Sequence, residues 1–162
     1  GQRDAFATSF TLLEREKTNP TPGVRDFSFI VFPAAKAYEG FLKKLFLDLG
    51  FISREEFEGR RFRIGRALNP ALERQFRQES IYDKLVAFCR GRELPDKLWQ
   101  TWKTCRNLLF HWWPASPASR LGGPNRGEPG HQNSINLSEA EERVGMIIDA
   151  INSAFAECKV KG

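Results

Sequence analysis

The segment from about residue 27 to residue 50 constrains the fold more than any other part of the sequence. Its apolar residues recur at steps of three and four, the period of one face of an α-helix; they are Val31, Ala34, Tyr38, Phe41, Leu45 and Leu49. Pro33 lies inside this pattern. We therefore expect that residues 27–32 are partly extended, or that the helix begins near Pro33, since proline is tolerated in a first helical turn. The spacing predicts a long amphipathic helix near 28–50.

Two further segments show the same helical period. One lies near 94–113 and begins at Pro95; its apolar stripe consists of Leu98, Trp102, Cys105, Leu109 and Trp112. The other lies near 138–158 and begins with the capping-box pair Ser138 and Glu141. Because no segment shows the strict alternation of a strand, the sequence predicts an all-α helical bundle.

Proline and glycine divide the chain. Residues 114–134 are rich in both and are expected to form a long loop. A first helix is predicted at Asp4–Lys17, and two prolines and a glycine within 19–23 end it. We therefore expect residues 1–25 to form an N-terminal extension with a short helix, and 26–162 to form the main helical domain.

Short helices are predicted between the long ones. Ser53 with Glu56 forms a capping box, and Ser80 precedes another apolar helical stripe as an N-cap residue. A third short helix is expected at Asn69–Arg77, with Pro70 near its start.

The composition excludes several classes of protein. Of the 162 residues, 41% are apolar and 28% are charged, which is typical of a globular domain and not of a disordered chain. No run approaches the roughly 20 apolar residues that span a bilayer, and no secretory signal pattern is present, so we expect a cytoplasmic protein with no membrane contact. The net charge of +5 is compatible with polyanionic partners.

The cysteines indicate neither a zinc site nor a disulfide framework. Cys89, Cys105 and Cys158 are widely spaced, no C-x-x-C is present, and the chain has two histidines. Each cysteine has apolar neighbours at helical spacing, so we expect buried thiols in a reducing compartment. Phosphate-loop, H-E-x-x-H and G-x-S-x-G motifs are also absent from the sequence. We predict no cofactor and no metal.

The segment Arg106-Asn107-Leu108-Leu109-Phe110-His111 carries the candidate catalytic residues. RNA cleavage needs a base for the 2′-hydroxyl, an acid for the leaving 5′-oxygen and positive charge near the phosphorane. Histidine can act as base or acid near neutral pH, and arginine binds phosphate oxygens with a planar fork. Asn107 lies four residues before His111 and can orient the imidazole.

The same residues also have an ordinary structural interpretation. His111 can cap the last helical carbonyls while Arg106 faces solvent. The second histidine, His131, also follows an arginine by five residues, so the spacing alone is weak. Glu39 on the 28–50 helix can hold Arg106 or His111 in place, or it can form an i,i+4 pair with Lys43.

A basic run between the long helices is a candidate RNA-binding segment. An RNA backbone can follow its arginines while the phenylalanine stacks on a base; the residues are Arg60, Arg61, Phe62, Arg63 and Arg66. The alternative is a solvated edge with Phe62 and Ile64 turned into the core.

Arg106-Asn107-x-x-x-His111 resembles the R-x(4–6)-H signature of the HEPN superfamily of ribonuclease domains. The segment Phe32-Pro33-Ala34-Ala35-Lys36-Ala37-Tyr38-Glu39-Gly40-Phe41-Leu42-Lys43 is similar to the first long helix of the HEPN domain in the RNase LS type of bacterial toxin. The resemblance covers roughly residues 28–158 and implies a HEPN-like helical bundle.

The resemblance also implies an activity. HEPN nucleases are metal-independent endoribonucleases that act as homodimers, in which two R-x(4–6)-H motifs form one composite site. It implies Arg106 and His111 as catalytic residues and Glu39 as a supporting one. Lys36 stands where the toxin group has an arginine, which keeps the charge but loses the fork. We expect cleavage to 2′,3′-cyclic phosphate and 5′-hydroxyl ends.

The expected setting is a toxin–antitoxin or antiphage system with an antitoxin protein as partner. The alternative is a non-catalytic HEPN-like module that docks on a protein partner. A metal-dependent nuclease is disfavoured because the sequence lacks clustered Asp, Glu and His residues.

Overall fold

A computed structural model describes residues 1–110 and 134–158. Within these residues every regular element is helical and no strand occurs, which confirms the all-α class. The elements are α1 (Gln2–Thr18), α2 (Ser28–Asp48), α3 (Arg54–Glu58), α4 (Ile64–Ala67), a 3₁₀ turn (Arg74–Glu79), α5 (Ile81–Cys89), α6 (Glu93–Trp102), a π turn (Lys103–Asn107), α7 (Leu108–Phe110) and α8 (Leu137–Cys158). Residues 111–113 of the predicted helix and 114–133 of the predicted loop lie outside the described residues.

Helix α2 forms the centre of the core. It packs against α1 on one side and α8 on another, and α8 packs in turn against α6. The predicted apolar stripe is buried from Val31 to Leu45, whereas Leu49 is half-buried. Tyr38 is fully buried, and its hydroxyl donates a 3.0 Å hydrogen bond to the Leu98 carbonyl on α6. Burial raises the pKa of Tyr38 well above its ordinary value.

The prediction that residues 27–32 are partly extended, or that the helix begins near Pro33, is wrong. Helix α2 begins at Ser28 and contains Pro33. The buried hydroxyl of Ser9 on α1 donates to the Ile30 carbonyl at 2.7 Å and accepts from the Ala34 N–H at 2.9 Å. It thus bridges two backbone groups that an uninterrupted helix pairs directly, and it supports α2 beside its proline.

Residues 1–25, expected as an extension, contain a helix that packs on the main bundle. Ser9 and Leu13 of α1 are buried. Glu16 is also buried and accepts hydrogen bonds from Arg15 and from both the backbone N–H and the hydroxyl of Thr21. Glu16 therefore holds the turn that leads from α1 toward α2.

Two predicted short features differ from the structure. The helix expected at Asn69–Arg77 is instead a turn followed by the 3₁₀ turn. The capping box of α8 is formed by Asn136 and Glu139, not by Ser138 and Glu141: each accepts the backbone N–H of the other, at 2.9 and 2.7 Å. Asparagine is as good an N-cap residue as serine.

The other predicted caps and buried thiols are largely confirmed. Ser53 and Glu56 form the capping box of α3, and Ser80 accepts from the Asp83 N–H at the start of α5. Cys105 and Cys158 are buried free thiols, whereas Cys89 is half-buried. Among the described helices, none has the length and apolar character needed to cross a membrane.

Candidate active site

The π turn positions Arg106. It lies within a helical stretch over residues 93–110 that has no other break. In this turn, the Leu108 N–H donates to the Lys103 carbonyl five residues earlier. An α-helix pairs residues four apart, so this turn contains one extra residue, a feature frequent at functional sites. The turn packs against both α2 and α8.

Arg106 forms an ion pair with Glu39 of α2. The Nε and Nη2 atoms of Arg106 both donate to Oε2 of Glu39, each at 3.4 Å. These distances exceed the roughly 2.7–2.9 Å of a tight charge-assisted bond. About a third of each side chain is exposed, 29% for Arg106 and 35% for Glu39. The guanidinium therefore keeps further N–H donors for an anionic ligand.

Aromatic rings surround the same guanidinium. Its Cζ atom lies 5.5 Å from the ring of Trp102 and 4.5 Å from the ring of Phe110. Phe110 in turn packs on Phe32 of α2, with ring centroids 4.6 Å apart. Cation–π contacts of this kind restrict where the guanidinium can point, so Arg106 is fixed by a carboxylate and two rings.

The remaining predicted catalytic residues have fewer contacts. Lys36 is exposed on α2 and forms no ion pair with a described residue. Asn107 is half-buried in the π turn and makes no side-chain hydrogen bond within the described part of the chain. His111 lies outside the described residues. Glu39 pairs with Arg106, and no ion pair links it to Lys43 in the part of the chain that the structure describes.

The basic run lies in a separate part of the molecule. A groove of about 730 Å³, which we call the α3–α5 groove, runs between α3, α4, the 3₁₀ turn and the start of α5. Its lining includes all five predicted RNA-binding residues, which are Arg60, Arg61, Phe62, Arg63 and Arg66. The four arginines are exposed. The Phe62 ring packs on Phe46 of α2, with centroids 6.4 Å apart, and Ile64 is buried, as the structural alternative expected.

Over residues 1–110 and 134–158, no three His, Cys, Asp or Glu side chains come together in a way that can hold a metal ion. Within the same residues, the Glu39 carboxylate is the acidic group that pairs with Arg106.

The sequence interpretation missed the aromatic contacts of Arg106. Trp102 and Phe110 lie four residues before and four residues after it, and this i±4 spacing was the available signal, because such side chains share a helix face. Phe32 gave no such signal, since its contact with Phe110 depends on how α2 packs against the end of the 93–110 stretch.

Comparisons of the chain with protein-family models, with curated proteins and with solved structures found no match.

Proposed function

We propose that this protein is a metal-independent endoribonuclease with a HEPN-like bundle. The observation that carries the proposal is the Glu39–Arg106 ion pair. It joins the two segments on which the resemblance rests, although they are 67 residues apart in the sequence. An arginine held by a half-exposed carboxylate and two rings, five residues before a histidine, suits the binding of a scissile phosphate.

In the proposed reaction, the 2′-oxygen forms a bond to phosphorus and the bond from phosphorus to the 5′-oxygen breaks. His111 takes the 2′-hydroxyl proton or supplies the proton to the leaving 5′-oxygen. Arg106 stabilises the charge on the phosphorane. Glu39 positions Arg106, Asn107 orients His111, and Lys36 adds positive charge. The products are a 2′,3′-cyclic phosphate and a 5′-hydroxyl.

The reaction needs both an acid and a base, and one Arg106–His111 pair offers a single imidazole. A two-fold homodimer that brings two such pairs together supplies both functions. We therefore propose that the active form is a homodimer in the cytoplasm, within a toxin–antitoxin or antiphage system, and that an antitoxin protein blocks the site or its dimerisation.

The two histidines provide a matched test. Purified protein is incubated with bulk RNA in excess EDTA as wild type, His111→Ala and His131→Ala. We expect cleavage by wild type and by His131→Ala, loss of at least about a hundredfold in His111→Ala, and cyclic phosphate ends on the products. Equal activity of all three proteins contradicts the proposal, as does activity that EDTA abolishes.

A docking module is the second candidate, because the surface beside Arg106 is apolar. Phe32, Leu108 and Phe110 are 37%, 43% and 39% exposed, and exposed apolar patches often mark protein interfaces. If this candidate is correct, no RNA is cut under any condition, whereas Phe32→Ser with Phe110→Ser abolishes binding of a protein partner. Cleavage by a homodimer increases with protein concentration. If the protein is the proposed nuclease, the same double substitution therefore weakens the homodimer and lowers the rate of cleavage.

A further inference from the structure

The α3–α5 groove combines apolar walls with basic side chains. Ile52, Leu72 and Ile81 line it and are at most 9% exposed. Phe51 and Phe62 also line it and are half-buried. A groove with these walls suits a ligand that carries a flat apolar group together with negative charge.

The carboxylates in the groove are largely occupied. Glu79 pairs with Arg66 at 3.0 Å, and Glu56 accepts the Ser53 N–H at 2.8 Å in the cap of α3. Of the acidic residues that line the groove, Glu55 alone makes no side-chain contact within the described residues.

Three arginines in the groove have no acidic partner among the described residues. Arg60, Arg61 and Arg63 are exposed, line the groove, and form no ion pair or side-chain hydrogen bond with a described residue. The charged side chains that line the groove are Arg60, Arg61, Arg63, Arg66 and Lys84 against Glu55, Glu56 and Glu79, so the groove has an excess of positive charge. The groove therefore favours an anion, and the number of arginines favours one with several charged groups.

The three arginines lie within four consecutive residues of the chain and all line the groove. Residues 61–63 are not helical, and Arg63 has extended dihedral angles of φ −115° and ψ 100°. Arg61 and Arg63 both line the groove, one residue before and one residue after Phe62. The Phe62 ring packs on Phe46 of α2. Several guanidinium groups in one groove suit the repeated phosphates of a strand better than a single phosphate.

Trp102 connects the groove to the candidate active site. A Cβ added to Gly65 of α4 would lie 2.9 Å from the Trp102 Nε1 atom. The Cζ atom of Arg106 lies 5.5 Å from the centroid of the Trp102 ring. Helix α4, which forms part of the groove wall, therefore lies beside the tryptophan that positions Arg106.

We propose that the α3–α5 groove binds a single-stranded segment of the RNA substrate. Arg61 and Arg63 contact neighbouring phosphates, Arg60 adds a third positive charge, and one base stacks on Phe51 or Phe62. The identification of this strand as the substrate rests on the proposed nuclease function, whereas the binding of a strand does not.

Binding is tested separately from cleavage with a fluorescein-labelled 2′-O-methyl oligoribonucleotide, which lacks the attacking hydroxyl. Anisotropy titrations at several salt concentrations compare wild type, Arg61→Ala/Arg63→Ala and the control Arg3→Ala/Arg25→Ala. Arg3 and Arg25 are exposed, so both double variants lose two positive charges. We expect the groove variant to bind at least about tenfold more weakly, with a salt slope smaller by about 1.4, and the control to change by less than about twofold. Thermal unfolding shows whether both variants are folded.

Several outcomes overturn the proposal. Absence of binding to wild type, unchanged binding of the groove variant, or equal losses in the two variants each show that the groove does not hold a strand. Displacement of the oligonucleotide by uridine monophosphate at comparable concentration assigns the groove to a free nucleotide instead. The 2′-O-methyl strand cannot be cut, so these results are independent of His111. Conversely, binding without cleavage of ordinary RNA contradicts the nuclease alone.

Discussion

Arg106 on the π turn donates two hydrogen bonds to a single oxygen of Glu39 on α2, and both are 3.4 Å long. A fork that shares one acceptor leaves the second carboxylate oxygen and the Nη1 donors of the arginine available. The pair therefore orients the guanidinium without saturating it. This arrangement suits an arginine that must bind a phosphate more than one that only joins two helices.

Substitution of Glu39 by glutamine should strongly lower the rate of RNA cleavage and should change the free energy of unfolding only slightly. The pair is about one-third exposed, so its loss should change the free energy of unfolding by less than about 1 kcal/mol. Loss of the carboxylate charge should leave Arg106 less firmly oriented and lower kcat by about tenfold or more, while KM changes less. RNA cleavage kinetics and denaturant unfolding measure the two effects. Asp48→Asn on the same helix is the control, and equal kinetic losses in both variants contradict a positioning role for Glu39.

Ser9→Ala should destabilise the protein by about 1–3 kcal/mol. The substitution leaves the Ile30 carbonyl and the Ala34 N–H without the hydroxyl that bridges them in the core. Urea unfolding measures the change. Thr18→Ala, which removes an exposed hydroxyl bonded to the Glu14 carbonyl of the same helix, should change stability by less than about 0.5 kcal/mol. Similar values for the two variants contradict the bridging role of Ser9.

Much of the helical scaffold was predictable because it depends on local spacing. The apolar period of 27–50 and the capping residues Ser53 and Ser80 act within a few residues, and the structure has helices where they indicate. The course of α2 through Pro33 was not predictable, because it depends on Ser9, which lies on another helix. Helix propensity depends on the local sequence alone, whereas the contact between Ser9 and α2 is a tertiary contact.

The candidate site shows the same division. The sequence offered two partners for Glu39: Lys43 on its own helix, or a residue far along the chain. Only the packing of the π turn against α2 brings Arg106 to it. The π turn itself was not predicted, because the apolar period of this segment does not mark the extra residue that the turn contains. Residue types thus indicated the chemistry, and packing decided which residues meet.

Glu16 should make stability depend on pH. The Thr21 backbone N–H and the Arg15 guanidinium hold the pKa of this carboxyl below its ordinary value. A lowered pKa contributes stability that is fully present above the ordinary value and is lost as the pH falls through the folded-state value. Wild type should therefore exceed Glu16→Gln in unfolding free energy at pH 7, and this difference should shrink as the pH falls from neutral through the ordinary pKa range of glutamate and below it. Glu14→Gln, at an exposed site on the same helix, serves as the control and should show no such change. A difference that is constant across this range contradicts the role of Glu16.

The three thiols should react at different rates in the folded protein. Burial raises the pKa of Cys105 and of Cys158 to about 12, and the thiolate is the reactive form. Cys89 is half-buried, and burial also raises its pKa. We expect native alkylation at pH 7.5 to modify Cys89 first and Cys105 last, and all three to react alike in urea. Peptide mass mapping measures the order, and rapid native modification of Cys105 contradicts its burial.

Gly65→Ala should destabilise the protein by about 1–3 kcal/mol. The added Cβ would lie 2.9 Å from Nε1 of Trp102, a side chain that is 6% exposed and packed in the core. The indole or α4 must therefore move, and Arg106, which lies over the same ring, should move with it. Thermal unfolding and tryptophan fluorescence measure the change, and RNA cleavage should fall as well.

Gly145→Ala is the matched control for that substitution. Gly145 lies within α8, and a Cβ added there meets nothing within 4 Å. Both substitutions remove the same backbone freedom from the unfolded chain, so the difference between them isolates the contact with Trp102. Alanine is the better helix former by about 1 kcal/mol, and Gly145→Ala should therefore raise the unfolding temperature. Equal shifts in the two variants would mean that α4 and Trp102 are not in close contact, and the α3–α5 groove would then lose its structural connection to Arg106.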